Sequence, residues 1–260
     1  MFTNKYIFLY SSALVIVVAA ILSSAAQLLK PFQDRNVRTE KIIDILRSVK
    51  IETEKESAEA KYNDYIVEEI TVNREGEIVS LYRNGKFEKG NVRAFDIDLK
   101  TQLTLLDEIK AGKEEEEPQF PIFVCQKNGE EFYIIPLRGK GLWGPIWGNI
   151  SFESDYNTVY GVTFGHKGET PGLGAEISTM PFQEQFYGKK IFDNDQVFTS
   201  IDVVKGGIAN LSEAKQIHGV DAVSGGTITS NGVTDMLFDV LSIYVPFFKK
   251  QLENESKPAA

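Results

Sequence analysis

From Tyr6 to Leu29 the chain reads YIFLYSSALVIVVAAILSSAAQLL, a run without a charged residue. As a helix at about 1.5 Å per residue it is roughly 36 Å long, enough to cross a hydrocarbon core of about 30 Å. The sequence therefore predicts an uncleaved membrane anchor, with the rest of the chain on one side of a bilayer. The competing reading is a cleaved signal peptide, helped by the small residues Ser23, Ser24, Ala25 and Ala26, but the apolar stretch is longer than a typical h-region. Lys5 stands before the span, whereas Lys30, Arg35, Arg38 and Lys41 follow it. A bare count of positive charge would put the C-terminal side in the cytoplasm, although long domains cross largely regardless of charge.

The 260 residues are 42% hydrophobic and 25% charged, with a net charge of −9. That composition is ordinary for a globular domain, and the acidic balance argues against a nucleic-acid partner, which is bound by surplus Lys and Arg. Cys125, His166 and His218 are the whole supply of soft ligands, too few for a zinc site or an iron–sulfur cluster built by this chain alone. A single cysteine also excludes an intrachain disulfide.

After the anchor, residues 30–61 read as an amphipathic connecting helix, with Ile42, Ile43, Ile45, Leu46 and Val49 set among charges. IVEEITV and EIVSLY, separated by NREG, predict a hairpin. Gly112 to Pro118 is an acidic, solvated loop. Further strands are expected at PIFVCQ and EFYIIPL, joined by Asn128-Gly129, then at NISFES, NTVYGVTF and QVFTSIDVV. Val233, Met236, Leu237, Val240, Leu241 and Tyr244 follow helical spacing, so a helix starts near Ser230 or Asn231 and buries one face. The expected fold is α+β: a tail over 1–5, an anchor over 6–29, the connecting helix, one domain over 62–250 with a largely antiparallel sheet and flanking helices, and a flexible tail over 251–260.

The segment before that helix, DAVSGGTITSNGV from Asp221 to Val233, carries more hydroxyls, amides and glycines than a plain connection requires. It ends at a helix N-terminus, where unpaired N–H groups and the macrodipole favour an anion, and Gly225 and Gly226 let backbone approach a ligand. The same residues also suit ordinary N-capping. GKGLWG, Gly139 to Gly144, matches GxGxxG, yet Pro145 and PIWGNI cannot open the helix that a dinucleotide fold requires. It reads instead as a tight loop displaying Trp143 and Trp147, as core packing or as a wall for a flat aromatic ligand. GHKGETPGLG, Gly165 to Gly174, lacks the Gly-Lys-Ser/Thr of a phosphate loop, but its rigid polar turn suits a ligand contact. No GxSxG elbow surrounds Ser224, which leaves a hydrolase triad unsupported.

DAVSGGT at 221–227, HKGETPGLG at 166–174, GKGLWGPIWG at 139–148 and the anchor together resemble the FMN-binding family shared by the C subunit of the sodium-translocating NADH:quinone reductase and the G subunit of the Rnf complex. The tryptophan-bearing loop favours the former. The family loop is usually Asp-x-x-Ser/Thr-Gly-Ala-Thr, and Gly226 stands here in place of the alanine.

The resemblance implies that a flavin transferase moves FMN from FAD onto the Thr227 hydroxyl as a phosphoester. Thr229 does not match the acceptor position. Asp221, Ser224, Gly225 and Gly226 would belong to the phosphate turn, and Glu169, Thr170, Gly172, Leu173, Gly174 and Trp143 would contact the flavin. It further implies an electron relay among other subunits of the complex, between NADH and a membrane quinone and coupled to sodium export, with the flavin domain on the outer face of a bacterial inner membrane. The readings set against it are an Rnf-type relay and a non-redox membrane-anchored binding module.

Overall fold

The structure is a computed structural model describing residues 3–113 and 116–255, and the chain divides into two compact units, Met1–Ile42 and Ile43–Ala260. The first unit is the greater part of helix α1 (Asn4–Ser48). Its most apolar 18 residues have a mean hydropathy of 2.3, and none is buried, which fits a single-pass anchor. The boundary expected at residues 29 and 30 is not an element boundary. Pro31 sits inside the helix, where it removes one backbone donor, and no glycine follows before Ser48 to stop the spiral.

The connecting helix also ends earlier than its charge pattern predicts. Lys50 takes a left-handed φ of 58°, the Lys50 amide donates to Arg47 O at 2.9 Å, and the Ile51 amide donates to Leu46 O at 3.0 Å. These paired bonds form a Schellman stop. Beyond it come an irregular stretch and a separate short helix, α2 (Ala58–Tyr65).

In the second unit the strands β1 (Ile66–Val72), β2 (Ile78–Arg83), β3 (Lys86–Lys89), β4 (Phe120–Lys127), β5 (Glu130–Lys140), β6 (Pro145–Phe152) and β7 (Val159–His166) form a seven-stranded sheet in the order β3-β2-β1-β4-β5-β6-β7. Every pairing in it is antiparallel. Asn128 and Gly129, with φ of 55° and 85°, make the two-residue turn that matches strand twist. Helix α3 (Leu99–Lys110) crosses between β3 and β4. The acidic loop expected over 112–118 lies partly, at 114–115, outside the described residues.

Helix α6 (Thr227–Glu255) packs on one sheet face. Val233, Met236, Leu237, Val240, Leu241 and Tyr244 are all buried, in one cluster with Phe120, Ile122, Val124, Ile135, Leu137, Ile146 and Ile150 from the sheet. The stripe predicted from spacing is thus the core-facing stripe. Alternation along β4 buries Phe123 and Cys125 on the opposite face. On that opposite face the Ser151 hydroxyl donates to Ser48 O at 2.6 Å and the Thr163 hydroxyl to Asp44 O at 3.4 Å, which seats the last turns of α1.

Between β7 and α6 lie three short 3-10 helices (Gly174–Ser178, Glu184–Phe186 and Ile208–Asn210), the single turns α4 (Met180–Gln183) and α5 (Glu213–Gln216), and a separate two-stranded parallel sheet of β8 (Asp202–Val204) and β9 (Gly219–Asp221). The strand expected over QVFTSIDVV is therefore short. Ser200 has a φ of 61°, which interrupts an extended run. Helix α6 continues to Glu255, so the expected C-terminal tail is helical as far as it is described, and residues 256–260 lie outside the described set.

Candidate functional site

Helix α6 begins at Thr227, earlier than the apolar spacing suggests, because polar Thr227, Thr229 and Ser230 precede the first core position. The Ser230 amide donates to Gly226 O at 2.9 Å, which makes Gly226 the residue before the first turn. The amides of that first turn have no intrahelical acceptor by geometry. The entry is a tight turn in which the Gly226 amide donates to Val223 O at 3.0 Å. Gly225 holds a φ of 73°, the left-handed value that the third position of a type II turn requires. Ser230 closes the motif, its hydroxyl accepting from the Val223 amide at 3.2 Å.

This turn faces a cleft of about 210 Å³ lined by Leu142, Glu169, Thr170, Leu173, Gly174, Gly225, Gly226, Thr227, Ile228 and Thr229. Three segments far apart in sequence meet there. Seven of the residues singled out from sequence line it: Glu169, Thr170, Leu173, Gly174, Gly225, Gly226 and Thr227. The rim is apolar and open, with Leu142, Leu173 and Ile228 at 47%, 41% and 56% exposure.

Glu169 joins the segments. It is buried, and its carboxylate accepts from the Thr229 hydroxyl at 2.6 Å and from the Trp143 amide at 2.8 Å. Its own amide donates to His166 Nδ1 at 3.1 Å, so that ring nitrogen serves as an acceptor. Among the described residues nothing hydrogen-bonds the Thr227 hydroxyl, whereas the Thr229 hydroxyl is committed to Glu169.

Four of the sequence-derived residues stand apart from the cleft lining. Asp221 ends β9, and its carboxylate accepts from the Ile208 amide at 2.7 Å, bracing a neighbouring loop. Ser224 is exposed and does not line the cleft. The Gly172 amide donates to Glu176 at 2.9 Å. The Trp143 side chain is 67% exposed, so it is not core packing. Trp147 lies within β6 opposite Gly165, not on the loop tip. Leu142 and Ile228 line the cleft without having been singled out, each beside a named residue, and Thr229, which does not match the acceptor position, lines it as well.

Gly226 stands where the family has alanine. An added Cβ would sit 3.1 Å from Val223 Cγ1 and 3.3 Å from Gly174 N, so an alanine needs only a small shift of its neighbours.

Residues 141–242 match the FMN-binding domain family, a segment that opens at the Leu142–Trp143 loop and closes inside α6, enclosing the cleft. The chain is 33% identical over 228 residues to the C subunit of Na(+)-translocating NADH-quinone reductase from Vibrio campbellii, covering 85% of this chain and 84% of the relative. The chain belongs to this C-subunit family. The corresponding protein of Vibrio parahaemolyticus is 35% identical over 223 residues, again with 85% and 84% coverage. The crystal structure of the same reductase's C subunit from Parabacteroides distasonis superposes with a TM-score of 0.69 at 42% identity, covering 85% of this chain and 96% of that one. For a member of the C-subunit family, the mostly antiparallel sheet capped by α6 is the expected scaffold, and the likeness extends well beyond the glycine-rich loops.

Proposed function

We propose that this chain is the membrane-anchored, FMN-carrying electron-relay subunit of a sodium-translocating NADH:quinone oxidoreductase, with its flavin joined covalently to Thr227. The observation that carries the attachment is the contrast between two hydroxyls on one cleft: Thr227 has no hydrogen-bond partner among the described residues, and Thr229 is held by Glu169. In the attachment, the Thr227 oxygen bonds to the FMN phosphorus of FAD while the pyrophosphate bond breaks. AMP leaves, and the hydroxyl proton passes to a base of the flavin transferase or to solvent.

The residues present fit this group. At about 210 Å³ the cleft is smaller than the pockets of roughly 300–1,000 Å³ that enclose a whole ligand, so it suits the phosphoryl end. Free amides in the first turn of α6 and the positive end of its dipole would stabilise the phosphodiester charge. Gly174, Gly225 and Gly226 keep side chains away from that point, while Leu142, Leu173 and Trp143 offer apolar surface to a ring outside the cleft. The flavin supplies the capacity to accept and release electrons, and the protein supplies position and electrostatics. Covalent attachment keeps the carrier in the complex, whose other subunits contribute the NADH and quinone chemistry.

The direct test is a visible absorption spectrum of the purified full-length chain after denaturation and acid precipitation. Flavin absorbance is expected to remain with the precipitate; a colourless precipitate with all flavin in the supernatant excludes a covalent carrier.

In this reading the flavin domain lies on the periplasmic side, which the family resemblance supports and the positive-charge count around the anchor opposes. Trypsin added to intact spheroplasts is expected to cut after Lys110 or Lys113, both exposed, while cytoplasmic markers stay whole. Protection of these sites until the membrane is opened reverses the assignment.

A further inference from the structure

The attachment chemistry leaves Glu169 without a part. Its side chain is only 4% exposed, and both oxygens act as acceptors, one from Thr229 and one from Trp143 N. An ionised carboxylate, which only accepts, fits both bonds. Among the described residues no cation is paired with it. A buried charge without a counter-charge is costly, yet the surroundings are shaped to hold it. A Cβ added at Gly141 would lie 2.5 Å from Glu169 Oε1, and one added at Gly174 would lie 2.5 Å from Oε2. The backbone therefore approaches the carboxylate from two sides where no side chain could.

Its hydrogen bonds tie together the Leu142–Trp143 tip, the 166–174 loop and the first turn of α6, two residues from Thr227. Glu169 also lines the cleft, so its charge stands beside any group held at Thr227, and charge–charge interaction strengthens as the separation shortens.

Resting on the FMN reading above, we propose that Glu169 is a positioning residue that latches the Leu142–Trp143 tip to the turn bearing Thr227, and that its fixed negative charge lowers the reduction potential of the bound flavin. Electrons added to the flavin bring negative charge toward a charge already there, which disfavours uptake. The amide of Glu169→Gln has nearly the same shape and keeps an acceptor for Trp143 N while removing the charge. Thr229→Val keeps the charge and removes one strand of the latch.

The test is made on the full-length chain matured with its flavin transferase, with covalent loading read from in-gel fluorescence. The midpoint potential comes from a visible redox titration, and ring mobility from flavin fluorescence anisotropy. Glu169→Gln is expected to shift the midpoint to more positive potential with anisotropy near wild type. Thr229→Val is expected to lower the anisotropy without raising the midpoint. An unchanged midpoint in Glu169→Gln overturns the electrostatic role, and unchanged anisotropy in Thr229→Val overturns the latch. If Glu169→Gln does not fold, a raised midpoint in Thr229→Val alone overturns the charge assignment. Wild-type chain without bound flavin would instead defeat the FMN reading itself, a result that loading reveals before either variant is compared.

Discussion

Thr227→Val is expected to abolish covalent flavin, leaving no fluorescent band at the position of the chain after denaturing electrophoresis. Valine keeps the β-branched shape at the first position of α6, so the helix and membrane insertion should survive while the oxygen needed for the phosphoester is gone. Thr227→Ser restores a hydroxyl at that position and should restore the band. Thr170→Val is the comparison within the cleft: it removes a second hydroxyl that lines it and can cost a flavin contact, but it leaves the attachment oxygen in place, so the covalent band should persist. Thr229, the nearest hydroxyl in sequence, is not a neutral control. Its loss leaves buried Glu169 with one hydrogen bond fewer, at a cost of about 1–3 kcal/mol, and weaker loading there would report a disturbed turn. A fluorescent band retained by Thr227→Val, with Thr170→Val unchanged, would falsify the acceptor assignment.

Gly232→Ala should damage stability and loading together. In an exposed helix interior, replacing glycine by alanine stabilises by about 1 kcal/mol. Here the sign reverses. The new Cβ would lie 2.3 Å from Lys140 O, a backbone atom at the end of β5 that no side-chain rotation can move. Either α6 lifts from β5 or β5 shifts, and overpacking of this kind costs about 1–3 kcal/mol or more. The displaced end of β5 leads directly to Gly141 and the Leu142–Trp143 tip, so the cleft widens as the helix moves. Urea unfolding of the detergent-solubilised chain should show a lower midpoint for Gly232→Ala, and the in-gel flavin band should weaken. Wild-type values for both would mean that the first turn of α6 does not depend on this contact.

Periodicity was the most legible part of the fold. The apolar run, the strands around Asn128-Gly129 and the stripe from Val233 to Tyr244 each carry their burial pattern within a short window. Boundaries were less legible where a stop depends on backbone conformation. The Schellman end at Lys50 uses a lysine, not a glycine, in left-handed geometry, and nothing in its side chain announces that. Strand β3 is fully exposed and so has no hydrophobic alternation to detect. Strand β9 is three residues long and exists through its parallel partner β8.

The candidate site divides along the same line. By itself the sequence determined the anchor, the core-facing stripe of α6 and the glycine- and hydroxyl-rich segments that supply the cleft, because spacing and residue type act over a few neighbours. Only the tertiary structure decided which of those residues meet. It turned Asp221 toward Ile208 and away from the cleft, exposed Trp143, and bound Thr229 to a carboxylate 60 residues earlier while leaving Thr227 open. The physical reason is that a hydrogen bond needs its partner within about 3 Å, and chain distance says nothing of that separation until the sheet and α6 have packed.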